Sequence, residues 1–585
     1  MLPARLVPVF KTTYGDTLRM NSQRRSPLLL LLAILTFSIG FGPRLMKAAE
    51  VTAQRLNAAA KEPQNWLTYG GTYTATRYSP LDQINKNNLK KLVPVWTFQT
   101  GKVDGGFSVT PLVADGVMYI TAPLNRVFAL DAVTGKELWH YYYAVPKEFG
   151  LIYGPWNRGV ALGHGLVFMG TIDNSMVALD AKTGAEVWKV NIEDMQQCGC
   201  NITGAPLLVK DKVIVGVTGG DSDHRGYLNA FDAKTGKRAW RFWAIPGPGE
   251  KGHETWSGDS WKHGGGSTWM TGSYDPELNL VYWGVGNPAA DFYGDTRKGA
   301  NLYTDSVVAL DADTGALKWH YQEIPHDVWD WDAAYEIVLL DLPVKGVMRK
   351  LIVNPNKGGY TWVLDRTNGK FINAWPMSDT INWIKGVDAE GNLLGRNEPE
   401  VAKPTLICPS IGGGRSWNHG AYSPKTGMFY QTGIEWCQTV TVQKEDPKTG
   451  QTYFGGVFEL KKPPSGEASG HFDAYDPVTG KKHWTYKSKY PLLASALVTA
   501  SDLVFTGDPE GSFFALDAKT GQKLWSFNAG SGHRGSPITY SVNNKQYIAV
   551  PVGWGSAVAG LFPQLWPETE AFPGGCTLFV FALTE

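Results

Sequence analysis

The sequence predicts an all-β protein built as an eight-bladed β-propeller, and a repeated phrase, its spacing and the aromatic content all point there. The phrase is an apolar strand ending in Asp, then a Thr-Gly or Asn-Gly turn and a Trp. It occurs seven times, and in six copies the Asp precedes the Trp by eight residues. In the seventh copy, Asp365 to Trp375, the distance is two residues longer. The six regular copies are 127–141, 176–190, 228–242, 307–321, 472–486 and 513–527.

Each copy is typical of a β-hairpin, in which Asp and the Thr-Gly pair form the turn and an aromatic strand returns. One hairpin cannot bury its own apolar face, so the copies must stack as tryptophan-docking-type repeats, in blades of ~40–50 residues. The first two intervals between repeat tryptophans are 49 and 52 residues. Trp375 and Trp484 are 109 residues apart, enough for a degenerate extra blade whose hairpin we expect at 421–430. The sequence therefore predicts eight blades.

Composition and charge agree with a large exported β-protein. The 585 residues include 23 Trp and 67 Gly. The Trp side chains are suited to packing between blades, and Gly is suited to tight turns. The 55 basic and 54 acidic residues leave a net charge of +1. This balance gives no reason to expect binding to nucleic acid or to an anionic membrane.

The amino terminus has the pattern of an export signal. Arg24 and Arg25 precede an uncharged apolar run at 28–41, too short for a comfortable membrane span but typical of a signal peptide core. Met20 lies just before this segment, so residues 1–19 are a candidate upstream extension. We therefore expect a periplasmic protein. The expected division is a signal region at 1–49 and a single propeller domain at 50–585.

Five cysteines in an exported chain are compatible with disulfides. Cys408 and Cys437 are 29 residues apart on expected neighbouring strands, and we predict that they are paired. Cys198 and Cys200 either close a small ring or stay reduced, and Cys576 is left over. No Cys-x-x-Cys-His motif occurs, so the sequence carries no c-type haem site of its own.

Two Gly-rich segments interrupt the repeats. In 256–269 (WSGDSWKHGGGSTW), three successive glycines allow close backbone approach, and Trp269 is a candidate stacking surface. Taken alone, this segment is better explained as a Gly-rich loop beside a packing Trp. In 284–288 (GVGNP), Asn287 between Gly and Pro offers a fixed carbonyl oxygen to a hard cation, although turn formation alone is an equal explanation.

A third segment, 325–332 (PHDVWDWD), contains Asp327, Asp330 and Asp332. In an extended strand, Asp330 and Asp332 share one face. Like charges placed in this way repel each other unless a cation or a proton lies between them. The intervening tryptophans disfavour a solvated acidic surface, so we favour a functional site here.

These segments and the repeats resemble the pyrroloquinoline quinone (PQQ)-dependent alcohol dehydrogenases, the quinoprotein family that includes methanol dehydrogenase. The likeness runs from Asn65 to the carboxyl end and begins with RYSPL at 77–81 and QIN at 83–85. The family fold is an eight-bladed propeller with the cofactor in a central funnel. The resemblance implies that Asp330 removes the alcohol proton while hydride passes to the quinone. No convincing Gly-x-Gly-x-x-Gly unit supports a nicotinamide enzyme.

The resemblance also assigns the site residues. PQQ would be contacted by Arg158, Thr203, Thr218, Gly219, Gly220, Ser267, Trp269, Lys357, Asn418 and Trp554. One metal ion would be held by Asp221, Asn287, Asp330 and Asp332. Asp221 stands where the family most often has the longer Glu. Asp332 resembles the extra carboxylate of lanthanide-dependent members, and calcium is the alternative.

Two departures from the family pattern lie near the expected cofactor. The family's adjacent cysteine pair falls at Ile152 and Tyr153, and Cys198 and Cys200 are nearby candidates to replace it. A family Glu falls at Ser108.

The resemblance implies a small alcohol as substrate and a soluble cytochrome c as electron acceptor, and it is compatible with a homodimer. A quinoprotein for sugars, aldehydes or polymeric alcohols is the main alternative, and a non-catalytic propeller scaffold is the other.

Overall fold

Eight four-stranded antiparallel sheets, one of them extended by a short parallel strand, account for most of the structure. The structure is a computed structural model and describes residues 50–101, 103, 105–145 and 153–584. The predicted export signal lies outside the described residues, so the domain division at 49/50 remains a prediction. Among the described residues, no helix has the length and apolar character needed to span a bilayer.

Blades 1 to 8 are numbered in chain order. Blade 1 consists of Leu112–Ala114, Val117–Ala122, Arg126–Asp131 and Glu137–Tyr142, and blade 2 of Ala161–Gly163, Leu166–Gly170, Ser175–Asp180 and Glu186–Asn191. Blade 3 consists of Leu207–Val209, Lys212–Gly216, Tyr227–Asp232 and Arg238–Trp243, and blade 4 of Ser273–Asp275, Leu280–Val285, Ser306–Asp311 and Leu317–Gln322. Blade 5 consists of Val338–Val344, Val347–Pro355, Tyr360–Asp365 and Phe371–Pro376, and blade 6 of Ala421–Ser423, Met428–Glu435, Ser469–Tyr475 and Lys482–Ser488. Blade 7 consists of Leu497–Thr499, Leu503–Gly507, Ser512–Asp517 and Lys523–Asn528, and blade 8 of Ile538–Val542, Lys545–Val552, Thr577–Leu583 and Leu92–Gln99.

The remaining elements are short. The strand Tyr78–Ser79 pairs in parallel with the first strand of blade 7. A two-stranded and a three-stranded sheet lie outside the blades, with strands Gly386–Val387 and Leu393–Leu394, and Thr405–Ile407, Cys437–Val442 and Gly456–Lys461. The α-helices are Ala53–Asn57 and Met195–Cys198. The 3₁₀-helices are Ala59–Lys61, Leu89–Lys91, His253–Thr255, Ser260–His263, Gly294–Thr296, Ala559–Gln564 and Pro567–Ala571.

Blade 8 joins the two ends of the described chain. Its outer strand, Leu92–Gln99, pairs antiparallel with the carboxyl-terminal strand Thr577–Leu583, from Leu92 opposite Leu583 to Gln99 opposite Thr577. A strand from the start of the chain thus covers a sheet edge that would otherwise be open.

The repeated Asp closes the turn between the third and fourth strands of its blade. In blade 1, Asp131 Oδ1 accepts hydrogen bonds from the backbone N of Val133 and from both N and Oγ1 of Thr134, at 2.8–2.9 Å. The following Gly135 has a φ of +71°, a conformation that favours glycine. The same Asp-centred turn therefore explains why the phrase recurs with constant spacing.

Six of the seven repeated tryptophans pack on the turn glycine of the next blade, as does Trp96 of blade 8. Trp240 of blade 3 donates from Nε1 to the carbonyl of Ala312 at 3.2 Å, and a Cβ added to Gly315 of blade 4 would lie 2.6 Å from its indole. The corresponding pairs elsewhere are Trp96 and Gly135, Trp139 and Gly184, Trp188 and Gly236, Trp319 and Gly369, Trp375 and Gly480, and Trp484 and Gly521. The stretched copy keeps this contact, because Trp375 donates to the carbonyl of Pro477.

The eight sheets match the predicted number of blades, but one assignment behind that number is wrong. The hairpin at 421–430 is not a separate blade: it forms the first two strands of blade 6, whose other two strands are the 472–486 repeat. The long interval before Trp484 arises because strands Cys437–Val442 and Gly456–Lys461 are inserted within this blade. The eighth sheet is the closing blade, which lacks the repeat phrase because its strands come from both ends of the chain.

Both cysteine pairs are bonded. The predicted Cys408–Cys437 disulfide is confirmed, and it links two adjacent strands of the three-stranded sheet, since Cys408 follows Thr405–Ile407 and Cys437 begins Cys437–Val442. Cys198 and Cys200, for which two states were open, form a ring. Cys576 is buried and is not in a disulfide.

Replacing Trp240 by Ala should destabilise the propeller strongly. The indole is 7% exposed, and its removal leaves a cavity between two blades and an unpaired Ala312 carbonyl. We expect a loss of about 3 to 5 kcal/mol in unfolding free energy, measured by urea denaturation. The control is Leu138→Ala on an outer strand, where the side chain is 43% exposed. Equal losses in both variants would contradict the docking role.

Stability should fall as pH rises through about 9 because of one buried histidine in blade 6. His471 Nδ1 lies 2.5 Å from Asp473 Oδ2, and Nε2 lies 3.0 Å from Glu435 Oε1. Burial opposes the charged imidazole, but hydrogen bonds with Asp473 and Glu435 outweigh it and raise the pKa of His471 to about 9. A raised pKa adds stability that is complete below the unfolded value of ~6.5 and is lost as pH rises through the folded value.

We therefore expect the melting temperature of the wild-type protein to fall between pH 7 and pH 10. His471 should account for a loss on the order of 2 to 3 kcal/mol in unfolding free energy over this range. In His471→Gln, this part of the fall should be absent. Parallel pH profiles for the two proteins would contradict the assignment.

Candidate active site

The predicted site residues all lie in two kinds of connection, and both kinds open at the same end of the blades. Antiparallel strands alternate in direction, so the link from the second to the third strand and the link to the next blade share one end. The Asp and Thr-Gly turns lie at the other end. The first kind of link carries Asp221, Asn287 and Lys357, and the second carries Arg158, Thr203, Trp269 and Asp330. The repeats therefore build the blades without occupying the site.

These connections line a cavity of about 320 Å³, a size suited to a small molecule. The predicted cofactor residues that line this cavity are Arg158, Thr203, Thr218, Gly219, Gly220, Ser267, Trp269 and Lys357. All four predicted metal ligands, Asp221, Asn287, Asp330 and Asp332, line it as well. Trp269, Trp417 and Tyr335 form aromatic walls, and Phe454 and Phe458 extend from the inserted sheet.

One end of the cavity is rich in carboxylates. Oxygen atoms of Asp221, Asp291 and Asp330 lie within 4.8 Å of one another. The amide of Asn287 donates from Nδ2 to Oδ1 of Asp221 at 3.1 Å and to Oδ1 of Asp291 at 3.0 Å. Lys357 Nζ lies 2.5 Å from Asp330 Oδ2.

Asp332 lies beside this cluster and connects it to the aromatic wall. Its Oδ2 is 3.4 Å from Lys357 Nζ, and its Oδ1 accepts from Trp269 Nε1 at 3.5 Å and from the backbone N of Asn287 at 3.4 Å. A Cβ at Gly286 would lie 2.1 Å from Asp332 Oδ1, and one at Gly220 would lie 2.3 Å from Asn287 Oδ1. Side chains at these two glycines would therefore disrupt the cluster.

Negative charge is in excess here. Burial raises the pKa of Asp330 well above its usual range; Lys357 opposes this rise, and the carboxylates of Asp221 and Asp332 add to it. Burial likewise raises the pKa of Asp221 to about 6, with Lys357 opposing. Burial lowers the pKa of Lys357, but Asp330 and Asp332 outweigh burial and raise it. One ammonium cannot neutralise this group, so the donor set fits a metal cation.

The other end of the cavity is cationic. Arg158 donates from Nη1 to Thr203 Oγ1 at 2.5 Å, and its guanidinium lies 4.5 Å from the ring of Trp417. Arg534 lies 5.0 Å from the same ring. Burial lowers the pKa of Arg158 to about 10 and of Arg534 to about 9. In the described part of the chain neither arginine pairs with a carboxylate, and both Nε atoms are buried without a partner. This end therefore fits an anionic ligand.

Comparison with known proteins identifies the family. The model for the glucose/ethanol/alcohol dehydrogenase β-propeller domain, a PQQ family, matches residues 66–380 and 487–548. The chain is also 37% identical to quinoprotein alcohol dehydrogenase PedH of Pseudomonas putida, over 97% of this chain and 98% of that protein. This chain belongs to the quinoprotein alcohol dehydrogenase family.

Solved structures agree with the fold of this quinoprotein. A europium-containing methanol dehydrogenase superposes with a TM-score of 0.85 at 35% identity, over 91% of this chain and all of that chain. The quinohaemoprotein alcohol dehydrogenase of Comamonas testosteroni gives a TM-score of 0.84 at 35% identity, over 91% of this chain and 82% of that chain. The predicted propeller and the resemblance to quinoprotein alcohol dehydrogenases are confirmed.

Two residues assigned to PQQ by the resemblance are not among those that line the cavity. Asn418 is buried; it donates from Nδ2 to the carbonyl of Arg534 and accepts from Arg534 Nη1, both at 3.0 Å. Asn418 therefore orients Arg534, which lines the cavity of this quinoprotein. Trp554 turns its indole into a core cluster, 5.3 Å from the ring of Phe562, while nearby Ser556 reaches the cavity.

The Cys198–Cys200 ring is not part of the cavity lining either. A Cβ at Gly219 would lie 3.2 Å from Cys200, so the ring packs behind the lining segment that contains this glycine. Tyr153, at one position of the family's missing cysteine pair, lines the cavity in its own right. Ser108, at the position of the missing Glu, also lines it.

Sequence reasoning missed four important residues: Asp291, Tyr335, Trp417 and Arg534. Arg534 had a usable signal, since Arg-Gly precedes the first strand of blade 8 much as Arg158-Gly159 precedes that of blade 2. Asp291 follows Asn287 by four residues, but no spacing rule shows that this non-helical segment turns back on itself. The two aromatic residues resemble ordinary core positions in the sequence.

Proposed function

We propose that this quinoprotein oxidises small alcohols to aldehydes with PQQ and one metal ion. The observation that carries the proposal is the arrangement around Trp269. Its ring lies 4.8 Å from the guanidinium of Arg158, and its Nε1 lies 3.5 Å from Asp332. One indole thus spans the cationic and carboxylate ends of the cavity. A flat polyanionic quinone and a cation suit these two ends.

The residues that line the cavity fit both PQQ and a metal ion. Arg158, Arg534 and Thr203 line the cavity and would hold the carboxylates of PQQ. The Nε atoms of both arginines are buried and have no partner among the described residues. Asp221, Asn287, Asp330 and Asp332 would hold the metal ion. When bound, PQQ supplies the two-electron acceptor and the ion supplies Lewis acidity.

Asp330 is the group that would accept the alcohol proton. Its Oδ2 is held by Lys357 at 2.5 Å, while Oδ1 is buried and has no partner among the described residues. The backbone of Asp330 has a φ of +71°, an uncommon conformation for a non-glycine residue that is often found at functional sites. The paired ammonium orients the carboxylate and leaves one oxygen for the substrate hydroxyl.

The cavity lining favours small alcohols over sugars. Ile411, Phe454, Phe458, Val558 and Leu561 contribute apolar surface to it. These side chains exclude water and offer no hydrogen bonds to a polyhydroxylated ring. Among the relatives is a quinoprotein ethanol dehydrogenase of Pseudomonas putida, 35% identical over 97% of this chain.

We further propose a periplasmic location, a signal at 1–49, and electron transfer to a soluble cytochrome c. The pattern at 28–41 and the absence of a haem-binding motif support these proposals. A homodimer is compatible with them and is tested by the mass of the purified protein in solution.

Replacing Asp330 by Asn should abolish most activity. The amide keeps the shape but cannot accept the proton, so dye-linked ethanol oxidation by the PQQ- and metal-loaded protein should fall about 10²- to 10⁴-fold in kcat. Glu323→Gln is the matched control. Glu323 is also buried, its Oε2 accepts a hydrogen bond from Asn356 Nδ2, and it is not among the residues that line the cavity. Activity retained by Asp330→Asn would remove Asp330 from the proposed role.

Replacing Asp332 by Ala tests the metal. A trivalent ion needs more negative charge than Ca²⁺, so the variant should lose activity with lanthanum far more than with calcium. The measurement is ethanol oxidation after loading with PQQ and each ion separately. Equal losses with both ions would contradict a lanthanide preference at this position.

A further inference from the structure

Asp291 is a buried carboxylate beside the proposed metal ligands. Only 1% of its surface is exposed. Oδ1 accepts a hydrogen bond from Asn287 Nδ2, the same amide group that donates to Asp221. Oδ2 is buried and has no hydrogen-bond partner among the described residues. Leaving an acceptor of this kind unpaired is costly unless something binds there.

Neighbouring protein cations do not satisfy Asp291. Arg297 donates to Asn301 Oδ1 and to the carbonyls of Ala290 and Asp327. Lys357 reaches Asp330 and Asp332 instead. The site therefore holds more carboxylates than its side-chain cations can pair.

The geometry points to Asp291 as a direct ligand of the metal ion, together with Asp221 and Asp330. This inference rests on the proposed function. Oxygens of the three residues lie within 4.8 Å of one another. Oxygen ligands bind large hard cations at ~2.3–2.6 Å, so two ligands of one ion are at most ~5 Å apart. The separation is therefore short enough for all three carboxylates to share one ion.

Asp291 also supplements the short side chain of Asp221. Asp221 is one methylene shorter than the Glu most often found at its position in the family, which reduces its reach. Asp291 places a second carboxylate within 4.8 Å of Asp221 and adds oxygen donors on that side.

Charge indicates which ion this set selects. Asp221, Asp291, Asp330 and Asp332 carry four negative charges when ionised, and Lys357 supplies one positive charge. A trivalent ion cancels the remaining three, whereas Ca²⁺ leaves one uncompensated in a buried site. Asp291 should therefore raise the preference for lanthanides over calcium.

The test is direct metal binding by the full purified chain after chelator treatment, without PQQ or substrate. Lanthanum chloride and calcium chloride are titrated into wild type and Asp291→Asn by calorimetry. We expect the isosteric variant to weaken lanthanum binding about tenfold or more, and calcium binding less, because ligand charge sets affinity. An unchanged lanthanum affinity would overturn the inference.

A second measurement separates ligation from a structural role. Bound metal stabilises the folded state, so lanthanum should raise the melting temperature of the wild type much more than that of Asp291→Asn. Without metal, the variant should be at least as stable as the wild type, because a buried charge has been removed. A metal-free melting temperature that falls, with an unchanged lanthanum shift, would mean that Asp291 only supports the fold.

Glu323→Gln is the control here as well, and it should leave both affinities unchanged. Alcohol oxidation is then assayed on the same preparations. Metal binding that depends on Asp291 without any alcohol oxidation would contradict the proposed function alone. Alcohol oxidation with metal binding indifferent to Asp291 would contradict the inference alone.

Discussion

The propeller depends on one contact repeated around the ring, an indole of one blade packed on the turn glycine of the next. Trp240 on Gly315 shows its components: a buried ring, a hydrogen bond to a backbone carbonyl, and a glycine whose missing Cβ makes room. The contact uses only the ends of the blades that carry the Asp turns. The connections at the opposite end are therefore free to change in length and composition, and the site is built from them.

The cavity separates opposite charges across one aromatic wall. Arg158 and Arg534 stand at one end without carboxylate partners, and the Asp cluster stands at the other with a single ammonium. A protein that needed only stability would pair these groups with each other, since unpaired buried charges are costly. The propeller holds them apart because the two arginines precede blades 2 and 8, whereas the carboxylates and Lys357 lie on connections of blades 3 to 5. Ligands that match both ends would offset the cost of burying these charges.

The sequence was most informative where chemistry and periodicity coincide. The constant interval from Asp131 to Trp139 and its copies predicted the blades, and twelve assigned positions line the cavity. The hairpin at 421–430 was misassigned because an insertion separates it from its own blade. Asp291 was missed for a related reason: convergence of distant carboxylates is decided by the path of loops, which carry no periodic signal.

The wall at Tyr153 shows how this chain departs from the family pattern without losing the site. Ser222 Oγ donates to the carbonyl of Gly199 at 2.8 Å and lies 2.7 Å from Tyr153 Oη. Gly199 is the middle residue of the Cys198–Cys200 ring, and Ser222 follows Asp221 directly.

The disulfide ring therefore fixes a carbonyl that positions Ser222, and Ser222 in turn holds Tyr153 against the cavity. In this arrangement the cysteines lie behind the cavity lining, and the aromatic side chain of Tyr153 lines the cavity. Because the carboxylate end of the cavity is unchanged, such a change alters the shape of the cavity while leaving Asp330, the proposed proton acceptor, in place.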